Sequence, residues 1–334
     1  LEKLLRYLND NDADKWQKNR EKLDDETKAY YAEDLSLMDV LNDLWNGQSE
    51  QAATLYFGCY EKAAQSNFPG ICEGEKIPLS QIRDKADQSI INLLEASKDK
   101  IPFSRALLDS IHATEYPVDS AMLQRLQNIR EVALLEGMLK TPTPIIYQTY
   151  VKEYPNGKFI AQVNASENVR LYQLVKTAPT PANFKAFFED PEMQKYYQDR
   201  GPRPYLAEVR TLYDDFLFQR IDSLKKEGNA TAIRQIIDDY KNTPYLSTGA
   251  RTHLNDLEYL SEKADFELLK PAIVNSESLG LLQEFLKTHK YKEFRDQAKN
   301  LRAPFILQIL HSRTIDKVLR NRQHRQYYDQ LHLQ

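Results

Sequence analysis

Glycine is scarce in this chain, with 10 in 334 residues, under half the usual ~7%. Tight hairpins and phosphate-cradling loops need glycine wherever φ is positive. The shortage argues against a β-barrel, a sandwich or a nucleotide-binding α/β fold, and for helices. Cysteine is scarcer still, limited to Cys59 and Cys72. No CxxC and no Cys/His cluster with metal-ligand spacing exists, which removes zinc modules and disulfide frameworks. Two readings of the pair stand: one bridge across the short segment holding Pro69 and Gly70, or two ordinary thiols. No apolar run approaches the ~18 residues of a membrane-spanning helix; the stretch 303–310 is far too short. The zinc-protease, hydrolase-elbow and phosphate-loop motifs are all missing. A formal net charge of −4 offers nothing to the phosphate backbone, so no specific nucleic acid is expected.

What is present is charge, 28% of residues, and tyrosine, 20 of them. The charge is uneven. Residues 285–334 carry a net +7, so residues 1–284 carry −11. Such asymmetry marks either an interaction surface or a solvated capping helix, and the cap is the preferred reading.

Apolar residues recur at three- and four-residue steps, the helical period. Trp16, Leu23, Tyr30, Tyr31, Leu35, Met38, Leu41, Leu44 and Trp45 follow it, and a second run covers 51–64. Residues 67–74 hold Pro69, Gly70 and Gly74, which predicts a loop and a subdomain hinge near 67–78. Helices are expected over 79–97, with Ile82, Ala86, Ile90 and Leu93-Leu94 on one face, and over 120–139. Pro102 and the Thr141-Pro142-Thr143-Pro144 run supply the breaks. The organisation expected is an irregular N-terminal helical subdomain over 1–98 and a repeat domain over 99–334.

From residue 147 the chain repeats. Units start at Tyr147, Phe184, Ile233 and Leu282, at spacings of 37, 49 and 49 residues. In three of them an apolar residue stands 12 positions before an aromatic: Tyr147 and Phe159, Ile233 and Tyr245, Leu282 and Phe294. The fourth reaches its aromatic at Tyr205 through an insertion near 190–198. Each unit is expected to be a short helix, a turn and a longer helix. The opening aromatic is expected to pack back on the first helix. A small residue nearby (Ala161, Gly249-Ala250 or Ala298) would allow close approach. The long helices carry the stripes Leu212, Phe216, Leu217, Ile221, Leu224 and Leu254, Leu257, Ala264, Leu268. A hairpin of this kind cannot bury its own apolar face, so hairpins must stack.

The segment Tyr154-Pro155-Asn156-Gly157-Lys158-Phe159-Ile160-Ala161 resembles the helix–turn–helix junction of divergent tetratricopeptide-like repeats, common in bacterial cell-envelope proteins. The likeness covers about 145–305. No unit has that family's Trp and Leu-Gly signature, and the second helices are longer than its norm. The resemblance implies an all-α solenoid of stacked hairpins and a binding scaffold, and it carries over no ligand residues. It also implies a periplasmic or envelope setting. Because the sequence opens at Leu1 rather than Met, any signal peptide is expected to lie upstream.

Candidate chemistry is thin. His112, His253, His289, His311, His324 and His332 form no metal or triad spacing and read as surface or packing histidines. Asp10, Asp12, Asp14 and Glu21 match positions 1, 3, 5 and 12 of a calcium loop, yet Lys15 stands where the loop needs glycine. A helix N-terminus is the preferred reading there. Asp214-Asp215 and Asp238-Asp239 read as solvated outer faces. Tyr196, Tyr197, Tyr291, Tyr327 and Tyr328 are candidate partner-binding aromatics, weighed against packing between repeats. Arg320, Arg322 and Arg325, on a helix expected over 315–333, are candidates for an anionic surface, weighed against a terminal cap. No cofactor is expected. The function expected is non-catalytic: a protein or peptide partner held on the concave face of the repeats. The alternatives are a membrane or polyanion contact through 285–334, or an enzyme without a recognisable motif.

Overall fold

The computed structural model describes residues 1–227, 230–273 and 279–301, with isolated positions 304, 317, 320 and 322. The fold is all-α: the described residues contain helices and no strand. Contacts divide the chain into two compact units, Leu1–Leu171 and Tyr172–Gln334. The division falls within one helix, and residues 98–99 lie inside the first unit.

The first unit opens with α1 (Glu2–Asn9), α2 (Ala13–Glu21), α3 (Asp25–Tyr30), α4 (Ala32–Trp45) and α5 (Glu50–Ala64). Local chemistry starts them. Asp12 accepts the Lys15 N–H, Asp24 that of Thr27, and Ser49 that of Ala52, each satisfying a donor that the first turn leaves orphaned. Asp12 thus caps a helix, as its acidic neighbourhood predicts. Among the described residues no group of three or more His, Cys, Asp or Glu could hold a metal ion. The helices α4 and α5 bury Leu37, Met38 and Leu41 against Ala53, Tyr56 and Phe57. Tyr30, expected on the apolar stripe, is 70% exposed.

The stretch expected to be a hinge is helical instead: α6 (Phe68–Gly74). Pro69 sits in its first turn, where no N–H is missed. Phe68, Ile71 and Cys72 lie on one face and are buried, and that packing outweighs two glycines. Next come α7 (Leu79–Ala96), α8 (Lys100–His112), α9 (Ser120–Lys140) and α10 (Pro144–Glu153). Both cysteines are free. Arg130 of α9, only 2% exposed, makes a two-pronged ion pair with Glu153 of α10 at 2.5 and 2.9 Å. The same guanidinium reaches the Ile101 carbonyl of α8 at 2.8 Å, so one side chain ties three helices.

The stretches expected to form hairpins are helical in succession: α10 is followed by α11 (Ile160–Thr177), α12 (Pro181–Glu189), α14 (Leu206–Lys226), α15 (Ala230–Tyr240), α16 (Thr248–Ala272), α17 (Leu279–Thr288) and α18, residues 292–301. The insertion near 190–198 forms its own helix, α13 (Pro191–Tyr197).

Three details differ from expectation. Three of the four opening aromatics have ring partners on helices before their own unit. Tyr205 stacks on Tyr172 of α11, at 4.4 Å. Tyr245 stacks on Phe188 of α12, at 4.3 Å. Phe294 packs on Tyr259 and Phe266 of α16. Each of these three rings therefore joins a helix that precedes its own unit. Ala161 is exposed, whereas Ala250 and Ala298 are buried. Finally, Ala264 is exposed and Leu268 is 73% exposed. The buried face of α16 runs instead through Ala250, Leu254, Glu262, Phe266 and Leu269. It rotates along the helix because its second half packs on Leu282, Phe285 and Phe294.

Candidate functional site

Within the second unit, α15, α16 and α17 enclose a cavity of about 500 Å³. Its chemistry follows from helix periodicity. Glu258, Ser261, Glu262 and Asp265 of α16 line it, and their spacing puts all four on one helical stripe. Arg234 and Asp238 of α15, with Lys241 just after it, face them, and Thr288, His289 and Lys290 do so from the end of α17.

The charges form two chains. In one, Lys241 bridges Asp238 and Glu258, the latter at 3.2 Å, and Lys290 pairs with the other oxygen of Glu258. The hydrogen bond to Asp238 holds the Lys241 ammonium above its ordinary pKa. In the other, Arg234 pairs with Asp265 and donates to Ser261 at 3.1 Å. The second oxygen of Asp265 faces His289 Nε2 at 3.1 Å. The other ring nitrogen, Nδ1, faces the Phe285 carbonyl at 3.1 Å and Thr288 Oγ1 at 2.9 Å. The His289 ring lies flat on Phe285, 3.9 Å between centroids. These contacts fix its orientation twice over.

A hydroxyl, an imidazole and a carboxylate in sequence invite comparison with a nucleophilic triad. The Thr288 hydroxyl, however, donates to the Glu284 carbonyl at 2.8 Å. It caps its own helix rather than passing a proton to His289. Glu262 has a structural task too. At 7% exposure it accepts the backbone N–H groups of Lys290 and Tyr291, at 3.0 and 2.9 Å. A carboxylate there satisfies the orphaned donors where α18 begins and suits the positive end of its dipole.

The structure spreads the sequence candidates apart. Tyr291 joins this site's edge: its hydroxyl donates to the Asn255 carbonyl at 3.0 Å and its ring meets Tyr259 edge-on. Burial raises its hydroxyl pKa. Tyr196 and Tyr197 pack on each other in α13, with the Arg200 guanidinium over Tyr196 at 4.4 Å. Arg320 and Arg322 are exposed. Arg325, Tyr327, Tyr328 and most of the basic helix expected over 315–333 lie outside the described residues. Asp238, expected on a solvated outer face, lines the cavity. Glu258, Glu262, Asp265, Arg234 and Lys290 were not singled out by sequence. The polar stripe on α16 was the one signal available for them, and a polar stripe ordinarily marks a solvated face.

Among the described residues no helix is long and apolar enough to cross a membrane. Compared with protein-family models, curated proteins and solved structures, the chain matches none of them.

Proposed function

We propose that this protein is a non-catalytic scaffold that holds a protein segment in the groove between α15 and α17, across α16. The observation that carries this reading is the cavity of about 500 Å³ lined by charged side chains already locked in ion-pair chains. Ordering long side chains before a partner arrives lowers the entropy that binding must overcome. A bound backbone would find both donors and acceptors there. The packing of Tyr205, Tyr245 and Phe294 on helices before their own units supports the tetratricopeptide-like repeat reading, and repeat arrays mainly present extended binding surfaces. The envelope setting travels with that repeat reading.

The test is selection of peptides from a random display library on the full chain, followed by affinity measurement on variants. Binding of the selected peptides is expected to fall at least tenfold in Glu258→Lys and in Arg234→Glu. It is expected to weaken with salt, but less steeply than phosphate or headgroup binding would, because the groove's partly buried charges are screened less than exposed ones. Selected peptides that ignore both variants would overturn the groove. Binding lost at high salt and restricted to anionic vesicles would favour the basic segment 285–334 instead.

A further inference from the structure

The first unit contains a second cavity, of about 470 Å³, between α7, α9 and the segment 113–119. Ile91 and Met122 give it an apolar wall. Asp87 lines it and is only 8% exposed. Its Oδ1 accepts the Tyr116 hydroxyl, and Tyr116 in turn faces the Tyr56 hydroxyl at 3.4 Å. Oδ2 takes no hydrogen bond from any described residue. Among the described residues Oδ2 is not one of the buried polar atoms left without a partner; it is open to the cavity, where a cation would stabilise a carboxylate whose side chain is otherwise largely withdrawn from water.

Of the cations on the rim, one is engaged elsewhere and the other only in part, since Arg83 also acts on the Asp87 carboxylate. Arg125 pairs with Glu95 at 2.7 Å, and Arg83 faces Asp84 at 3.4 Å. Asp119 adds a further carboxylate to the rim. We infer that this cavity binds an organic ammonium group, whose charged head meets Asp87 Oδ2 and whose carbon chain lies on Ile91 and Met122. A free alkyl amine and a lysine side chain share that chemistry. The site is separate from the groove of the second unit and does not rest on the function proposed for it.

The binding is proton-linked. Burial pushes the Asp87 carboxyl up to about 6, against the opposing pull of the Tyr116 hydrogen bond and Arg83. The other groups around Asp87 are Asp84 and Arg83 on its own helix, Tyr116 and Asp119 on the following segment, Tyr56 and Tyr60 on α5, and Arg125 on α9. The hydroxyls of Tyr56, Tyr60 and Tyr116 are shifted upward from their ordinary value, so they stay neutral where Asp87 titrates. An ammonium needs the ionised carboxylate, so affinity falls about tenfold per pH unit below ~6.

The test is titration calorimetry of the full chain with n-pentylammonium chloride, and with n-pentanol as the neutral control, at about pH 5 and about pH 7.5. The amine is expected to bind saturably at the higher pH, releasing protons near pH 6, and the alcohol to bind at least tenfold more weakly. Asp87→Asn, which keeps an acceptor for Tyr116, is expected to abolish amine binding, and Asp119→Asn to weaken it severalfold. The pH dependence of the unaltered chain tests the same point should Asp87→Asn fold poorly. A lysine-bearing peptide competing for the site would identify a side chain as the source; failure to compete would identify a free amine. No saturable binding in the millimolar range overturns the inference. So do equal affinities for amine and alcohol, and binding that appears only in Arg83→Gln, which would make Arg83 the natural partner of Asp87.

Discussion

Tyr245 lies flat on Phe188, with ring centroids 4.3 Å apart and planes within 4°. Phe188 lies on α12 and Tyr245 just before α16, and the Tyr245 hydroxyl also donates to Glu189. An offset aromatic pair contributes about 0.5–1.5 kcal/mol beyond its buried area. Tyr245→Leu is therefore expected to lower the stability of the second unit by about 1–2 kcal/mol. A double-mutant cycle with Phe188→Leu, read by urea denaturation, should return a coupling of about 1 kcal/mol. Additive single effects would show that the two rings are not coupled.

The Arg130–Glu153 pair predicts an asymmetry. Glu153→Gln leaves a guanidinium with 2% exposure and no counter-charge, a loss of about 3–5 kcal/mol. Arg130→Met should cost less, because Glu153 is 20% exposed and keeps Arg105 at 3.0 Å. Replacing both by apolar residues is expected to recover part of the loss. Chemical denaturation of the three variants decides the order.

Stability should respond to pH through Asp87 with an unusual sign. Its folded pKa, raised by burial to about 6, exceeds the free value of ~3.9. The protonated form is favoured by folding, so this contribution is full below about pH 4 and is lost as pH rises through 6, on the order of 2 kcal/mol. Burial shifts Asp34 in the same direction, against its hydrogen bond from Ser66. Glu153 acts oppositely: burial works against it, but Arg130 wins and holds it low, so its contribution disappears as pH falls. Asp87→Asn is expected to raise the denaturation midpoint at about pH 7.5 and leave it nearly unchanged at about pH 4. An equal shift at both would refute the assignment.

Gly157 is needed for close approach. A Cβ there would press on the Glu131 carboxylate, sit 2.6 Å from the Tyr150 hydroxyl and 2.9 Å from Tyr154 Cβ. Tyr150 donates to Glu131 at 2.7 Å in that spot. Gly157→Ala is expected to destabilise the first unit by about 1–3 kcal/mol, measurable as a lowered thermal midpoint.

The thiols should separate by reactivity. Burial pushes Cys72 up to about 12, and a thiolate is the reactive form. Cys59 is half-buried, with its sulfur 3.5 Å from Ser36 Oγ. Iodoacetamide on the folded chain is expected to label Cys59 first and Cys72 only after unfolding. Both should titrate as free thiols in denaturant; a single disulfide there would contradict the structure.

Much of the architecture was legible because helices are specified locally. The stripe Ile82, Ala86 and Ile90, the Asp12 cap and the Pro142–Pro144 break all act within a few residues of themselves, and the structure has α7 over the first and a helix start or stop at the other two. The loop expected over 67–74 failed because turn residues there were outweighed by the burial of Phe68 and Cys72, a term set by distant helices.

Sequence alone therefore determined the all-α class and the succession of helices after residue 144, since backbone hydrogen bonds and apolar spacing encode them; that the insertion near 190–198 is helical came from the structure. Only the tertiary structure decided which side chains meet. Arg234 and Asp265 are 31 positions apart and His289 and Asp265 are 24 apart. Their meeting depends on how α15, α16 and α17 cross, and the same holds for Tyr116 against Asp87, 29 positions away. Packing of apolar faces sets those crossings, and a polar residue on the opposite stripe carries no local mark of whether it will face water or a neighbouring helix.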